Sequence, residues 1–201
     1  MTKREATDVL SVGNHKLSKR IASWSLPASQ DVCGRECQGC YAIKAQRVYP
    51  NVLPSRLMKF ELSKSPHAFR IKVNQAVRKL RPTYVRIHDS GEFYSQEYIN
   101  NWADVIKVNT DVTFYAYTKR LRDFDFTRLK LLPNMVLIDS LKHKGLNYGS
   151  LEARPDGMFQ CPDYKGSELR KQTPSGPICG TLCTYCMTKD AEDTGVYFKK
   201  H

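Results

Sequence analysis

No stretch of this 201-residue sequence approaches the roughly 20 consecutive apolar residues of a membrane span. Its opening, MTKREATDVLSVGNHKLSKR, has no apolar run of the kind a secretory signal requires. These absences make a cytoplasmic protein with no membrane partner the default expectation. Acidic residues are in deficit: 20 Asp and Glu face 32 Lys and Arg, for a formal charge of +12. The basic residues are spread along the chain, with no basic tail and no low-complexity tract. Nucleic acid therefore stays open as a partner, against the plainer reading of a solvated basic surface. The even, scattered cysteine count of a secreted disulfide framework is missing too: the seven cysteines are odd in number, and six fall in two tight clusters. That usage favours metal or cluster ligation in a reducing compartment.

The length suits one domain, with room for a second small module at one end. Residues 1–19 carry no strong periodicity. Residues 21–26, IASWSL, alternate as a strand does up to Pro27, and the first cysteine cluster follows directly. A helix is expected from that cluster to about Tyr49, and a second around Arg56 to Leu62. Ser65-Pro66 opens another, with Phe69, Val73, Ala76, Val77 and Leu80 on one face until Arg81-Pro82 stops it. Tyr84 to His88 reads as a strand ending in the turn Asp89-Ser90-Gly91-Glu92. Ser95 can cap a helix with Tyr98, Trp102, Val105 and Ile106 on its core face. Val112–Tyr117 and Met135–Asp139 read as strands, and Phe124–Leu132 as a short helix between them. Strands and helices that alternate in this way predict an α/β fold built from βαβ units, with functional residues at the C-terminal ends of parallel strands. From Lys142 the pattern dissolves, so a core over residues 1–145 and a cysteine-rich extension over 146–201 are expected. The extension has little apolar content of its own, and a bound metal would supply the missing stability.

The chemistry concentrates in CGRECQGC, residues 33–40, and CGTLCTYC, residues 179–186, both spaced C-x3-C-x2-C. Cys33, Cys37 and Cys40 can bind three irons of a [4Fe-4S] cube and leave the fourth iron open to another ligand. The competing reading is a zinc site completed by a histidine such as His15, His67 or His88. The second cluster has Cys161 upstream, and Cys161, Cys179, Cys183 and Cys186 make a closed set of four. That set suits an auxiliary [4Fe-4S] cluster or a structural zinc. Donation of a late cysteine to the first cluster, or plain free thiols, also stays open.

A C-x3-C-x2-C loop just after the first strand of an α/β chain resembles the radical S-adenosylmethionine (SAM) superfamily. The stretch RIHDSGEF, residues 86–93, lies where that family has a Gly-Gly-Glu-Pro-like turn, with Ser90, Gly91 and Glu92 in register. The resemblance implies a partial, truncated (βα) barrel of the radical SAM type, SAM as cofactor and an electron donor as partner. It places Ser90, Gly91 and Glu92 near SAM and Tyr41 toward the adenine. Thr118 and Lys119, at the end of the aromatic strand FYAYTK, are further ligand candidates, weighed against an ordinary strand end. The stretches HDSGEFYSQEYINNWADVI and FYAYTKR, with the Tyr-Ala that follows the first cysteine loop, also resemble the bacteriophage gene eighty-eight proteins over roughly residues 20–190. That likeness implies no activity, and it makes the expected compartment the host cytoplasm. His88 is undecided at this level between a core residue and a proton carrier.

Overall fold

The computed structural model describes residues 1–14, 16–34, 40–141, 157–162, 167–172 and 175–197. In chain order the elements are α1 (Lys3–Val9), β1 (Ser11–Val12), β2 (Ile21–Ser25), α2 (Gln30–Cys33), α3 (Tyr41–Val48), α4 (Val52–Ser63), α5 (Pro66–Leu80), β3 (Tyr84–Ser90), α6 (Gln96–Val108) and β4 (Thr113–Thr118). Then follow α7 (Thr127–Lys130), β5 (Met135–Asp139), β6 (Phe159–Gln160), α8 (Glu168–Gln172), a 3-10 turn (Tyr185–Met187), α9 (Asp190–Thr194) and β7 (Val196–Tyr197). The α1 helix starts at a reciprocal cap between Thr2 and Glu5, a Thr-x-x-Glu signal in a stretch that lacks helical periodicity. The α4 helix begins a turn earlier than its apolar pattern indicates. Pro54 sits in its first turn, where a missing N–H costs little.

The fold is mixed α/β around an open five-stranded sheet in the order β1-β2-β3-β4-β5. Strands β2 to β5 are parallel neighbours in sequence order, and β1 adds an antiparallel edge to β2. Crossovers of one hand that always step to the next strand leave their helices on a single face. That face holds the main core: Ala22, Trp24, Val85, Ile87, Phe114, Ala116, Met135 and Leu137 of the strands meet Ala6 of α1, Phe69 and Val73 of α5, Trp102 of α6 and Leu129 of α7. At its centre Trp24, Phe69 and Trp102 pack edge-to-face, with ring centroids 5.1 to 5.8 Å apart. The expected caps hold in part. Ser95 Oγ accepts from the Tyr98 N–H at 3.2 Å, whereas Ser65 stands at the start of α5 without a side-chain capping bond.

The opposite face carries the alternate strand residues, and the C-terminal segment covers part of it. Ile21, Tyr115, Val136 and Ile138 pack with Met158, Cys186, Met187, Ala191, Val196 and Tyr197 in a second cluster. The described parts of the extension therefore bury Met158, Met187, Ala191, Val196 and Tyr197 against the sheet, while Leu182 stays exposed. The Glu192 carboxylate also accepts from the Leu137 N–H at 2.6 Å, fixing α9 to β5. No helix among the described residues is long and apolar enough to cross a membrane.

Phe69 touches both tryptophans and Tyr98 and is fully buried. Phe69→Ala should destabilise the fold by about 3–5 kcal/mol. Urea unfolding followed by tryptophan fluorescence measures this directly, and a loss under about 1 kcal/mol would place the core elsewhere.

Candidate functional site

The register between β2 and β3 breaks near the C-terminal end of the sheet. Trp24 pairs with Ile87, but the next residue, Ser25, pairs with Ser90, so His88 and Asp89 form a bulge in β3. A bulge re-aims side chains, and here it separates two polar residues by environment. His88 turns into the core, where Nε2 lies 2.8 Å from the Tyr98 hydroxyl and the ring packs edge-on to Phe93. Asp89 turns toward β2, where its carboxylate accepts from the Ser25 hydroxyl. The stretch read as a turn from Asp89 to Glu92 is thus strand through Ser90. Paired bonds tie it to the end of β2: Leu26 N–H to the Ser90 carbonyl at 2.8 Å, and Ser90 Oγ to the Leu26 carbonyl at 2.9 Å.

The chain then reverses at Gly91, with φ of +84°. A Cβ there would stand 2.5 Å from that of Leu26, so both conformation and space demand glycine. The reversal delivers Glu92 under the end of β4. Its carboxylate accepts from Thr118 Oγ1 at 2.8 Å and from the Lys119 N–H at 3.0 Å. Burial pushes the Glu92 carboxyl above its ordinary value, and the bonds from Thr118 and Lys119 only partly offset this. Glu92, Thr118 and Lys119 therefore form one buried hydrogen-bonded unit, with Ser90 and Gly91 as its backbone link to β2.

The first cysteine loop stands at this same edge. Cys33 closes α2, and Cys40 is the N-cap of α3; Cys37 lies outside the described residues. Tyr41 opens α3, and its hydroxyl donates to the Asp89 carbonyl. Three further side chains frame the loop. Gln46 Oε1 accepts from the Ala28 N–H at 2.7 Å and from Arg56 Nη1 at 2.9 Å, and Arg56 Nη1 also donates to the Ala42 carbonyl at 2.9 Å. Arg120, just past β4, donates from Nη1 to the Cys33 carbonyl at 3.0 Å. Gly34, with φ of +68°, lies so close to that guanidinium that any side chain would overlap it. Loop and strand end are locked together at the cysteine.

On the sheet face opposite the helices, Ser23, Arg86 and Tyr115 form a cross-strand row. Arg86 Nε donates to the His88 carbonyl at 3.2 Å, and its guanidinium carbon lies 5.8 Å from the centre of the Tyr117 ring. The hydroxyls of Tyr115 and Tyr117 approach the sulfurs of Cys179 and Cys186. Burial holds both phenols well above the usual tyrosine range, so they are neutral at physiological pH. The Cys186 thiol is pushed up to about 12, by burial first and then by the neighbouring Cys179 and Cys183, against the opposing Tyr117 hydrogen bond. These three cysteines share one electrostatic neighbourhood. Cys161 is attached to β7 through its N–H to the Tyr197 carbonyl at 2.8 Å. Among the described residues no three His, Cys, Asp or Glu side chains converge as a metal-ligand group. Of the histidines offered as zinc ligands, His15 lies outside the described residues and His88 is turned into the core.

Fold and edge geometry define a singly wound parallel α/β protein with a cysteine loop and a buried carboxylate at the C-terminal edge of its sheet. The sequence family described as Gene product 88 matches residues 3–163, and the chain belongs to that family. The gene 88 protein of Mycobacterium phage D29 is 25% identical over 192 residues, covering 82% of this chain and 78% of that protein. The gene 88 protein of Mycobacterium phage L5 is 28% identical over 145 residues, covering 62% of this chain and 59% of that protein. No solved structure matches. The bacteriophage resemblance is thereby established, whereas none of these comparisons supports the radical SAM resemblance, and the sheet is open, not a closed barrel.

Arg86 and Arg120 were not singled out by the sequence patterns. A lone arginine inside the β-rich run YVRIH is the signal that could have found the first; only the fold reveals the second. Two titrations follow. Burial, aided by Arg86, lowers the His88 pKa to about 3. Its contribution to stability is then present above the unfolded pKa of about 6.5 and is lost as pH falls toward 3. Between pH 6.5 and 5 wild type should lose about 2 kcal/mol that His88→Gln does not lose, as read by urea unfolding. Glu92 has the opposite sign, because a raised carboxyl pKa loses stability as pH rises through the folded value. Glu92→Gln, which keeps an acceptor for the Lys119 N–H, should match or exceed wild-type stability at pH 8 and lose that advantage below about pH 4.5.

Proposed function

We propose that this chain is an iron–sulfur protein of the radical SAM type, with a [4Fe-4S] cluster held by Cys33, Cys37 and Cys40 and SAM bound at the C-terminal edge of the parallel sheet. The observation that carries this reading is the meeting, at one edge, of the cysteine loop and the buried Glu92–Thr118–Lys119 unit, joined through Arg120 and the Cys33 carbonyl. The strand order adds support, since neighbours in sequence with helices on one face are what a partial (βα) barrel of that type requires.

The donor chemistry fits the group. Cys33 and Cys40 flank a short loop, both are partly accessible, and Arg120 holds the backbone of Cys33 in place. A reduced cluster with an open iron supplies the single electron that cleaves SAM. The protein's own part is positional. Gly91 brings the strand end close to the loop, Glu92 offers a carboxylate toward the SAM amino group, Lys119 and Thr118 hold that carboxylate in place, and Tyr41 closes the exposed side. Cys161, Cys179, Cys183 and Cys186 form the second site in this reading, a [4Fe-4S] cluster or zinc that cross-links the extension.

Anaerobically reconstituted protein given dithionite and SAM should release 5′-deoxyadenosine, and Cys33→Ala should abolish the release. An intact cluster that never cleaves SAM would leave an iron–sulfur protein of redox or nucleic-acid-binding function in place of an enzyme. Iron, zinc and sulfide counts on wild type and Cys179→Ala assign the second site in the same preparation.

A further inference from the structure

We propose that the edge of the sheet where the parallel strands begin binds a nucleic-acid duplex through its phosphate backbone. The chain reaches that edge four times, over residues 13–20, 78–83, 107–112 and 130–134, ahead of β2, β3, β4 and β5. Lys16, Lys19 and Arg20 precede β2, and Arg78, Lys79 and Arg81 precede β3. Lys107 and Lys130 extend the set along β4 and β5, and Asp111 is the one carboxylate in these segments. All eight cations are exposed, and none has an ion-pair partner among the described residues. The opposite edge is the reverse. There, residues 26–34, 89–95, 119–126 and 139–141 hold Asp31, Asp89, Glu92, Asp123, Asp125 and Asp139 against three cations.

The four segments form one continuous surface. The Arg20 carbonyl accepts from the Thr83 N–H at 2.9 Å, the Thr83 carbonyl from the Thr113 N–H at 3.2 Å, and the Asn134 carbonyl from the Phe114 N–H at 2.8 Å. Strands about 4.8 Å apart then spread the cations over roughly 15 Å. Helix macrodipoles account for Arg78, Lys79, Lys107 and Lys130, which stand in the last turns of α5, α6 and α7. They do not account for Lys16, Lys19 and Arg20, which lie in a loop between strands. Nor do they account for Arg81, which ends α5 at φ of +48°, a position that glycine fills at least cost. A row of unpaired cations with almost no carboxylate matches a regular polyanion. One strand of a duplex sets a phosphate every ~3.4 Å of axis, so the row faces about four of them. Single strands are held largely by stacking, and the exposed aromatics Tyr41 and Tyr49 lie at the ends of α3, away from this edge. Tyr84, which does stand here, is covered by the Arg20 guanidinium 5.6 Å from its ring centre. Val108 and Leu131 are the large apolar side chains exposed here, too little surface for a membrane anchor.

The radical SAM reading concerns the other edge, and the test uses neither SAM nor reductant. Binding of full-length protein to a short fluorescein-labelled DNA duplex of arbitrary sequence is followed by anisotropy across a salt series. The log of the binding constant should fall against log salt with a slope of about −4, roughly a hundredfold loss from about 50 to 200 mM. The triple variant Lys19→Gln, Lys79→Gln, Arg81→Asn should flatten that slope by about three and melt as wild type does. The charge-matched triple Lys44→Gln, Arg47→Gln, Arg122→Gln, at exposed positions on or beside the opposite edge, should bind as wild type does. Unchanged binding by the first triple, an equal loss in the second, or absent or salt-independent binding in wild type would overturn the proposal. So would stronger competition by a single strand or by phosphatidylserine vesicles than by unlabelled duplex. Should the first triple fail to fold, Lys19→Gln and Lys79→Gln must each flatten the slope by about one, and an unchanged slope in both overturns the proposal equally.

Discussion

The two-residue bulge between β2 and β3 is the constraint on which the edge chemistry depends. Up to Trp24 and Ile87 the strands run in simple register, and helices cover the face that these residues share. The two extra residues then let β3 continue to Ser90 while β2 ends, and they send His88 and Asp89 into different surroundings. Without the bulge, the alternation of a strand would turn His88 to the same face as Arg86. The reversal at Gly91 would also come two residues out of step, away from the end of β4.

That displacement explains why the site consists of hydrogen bonds between strand ends. Ser90 is committed to Leu26, and Glu92 to Thr118 and Lys119. These bonds lie in a buried setting, where an unpaired polar atom costs more than a paired one returns. The cysteine loop is attached to the same strand end through Arg120, and α3 to β3 through Tyr41 and Asp89. A change at Arg120 is felt directly by the cysteine loop, because its guanidinium holds the Cys33 carbonyl at 3.0 Å.

Much of the sheet was legible in the sequence. IASWS, YVRIH and MVLID carry the period and composition of strands, and Phe69, Val73 and Trp102 mark the helix faces that cover them. The structure lengthens β3 by two residues, since Asp89, Ser90 and Gly91 have turn composition and only a partner strand can hold the first two extended. The α1 helix escaped a periodicity test because seven residues are too few for a pattern, although its Thr-Glu cap was present. Gly91 and Glu92 stood out only through the likeness of RIHDSGEF to a Gly-Gly-Glu-Pro-like turn at a strand end. Arg120 was not, because its role is a contact with a carbonyl 87 residues away. The pairing of the late thiols with Tyr115 and Tyr117 was likewise invisible, as it joins a strand to a segment with almost no pattern of its own.

Strand order carries a consequence for synthesis. A sheet whose parallel strands are added in the order β2, β3, β4, β5 can grow as the chain leaves the ribosome, each helix closing over a strand pair already formed. Among the described residues the opposite face has no such local cover. Tyr115, Val136 and Ile138 wait for Met187, Ala191 and Val196, so a nascent or truncated chain that stops short of α9 presents a strip of apolar strand to its surroundings. The last few tens of residues then act as a built-in cap against misassociation, the final step that makes the sheet safe on both sides.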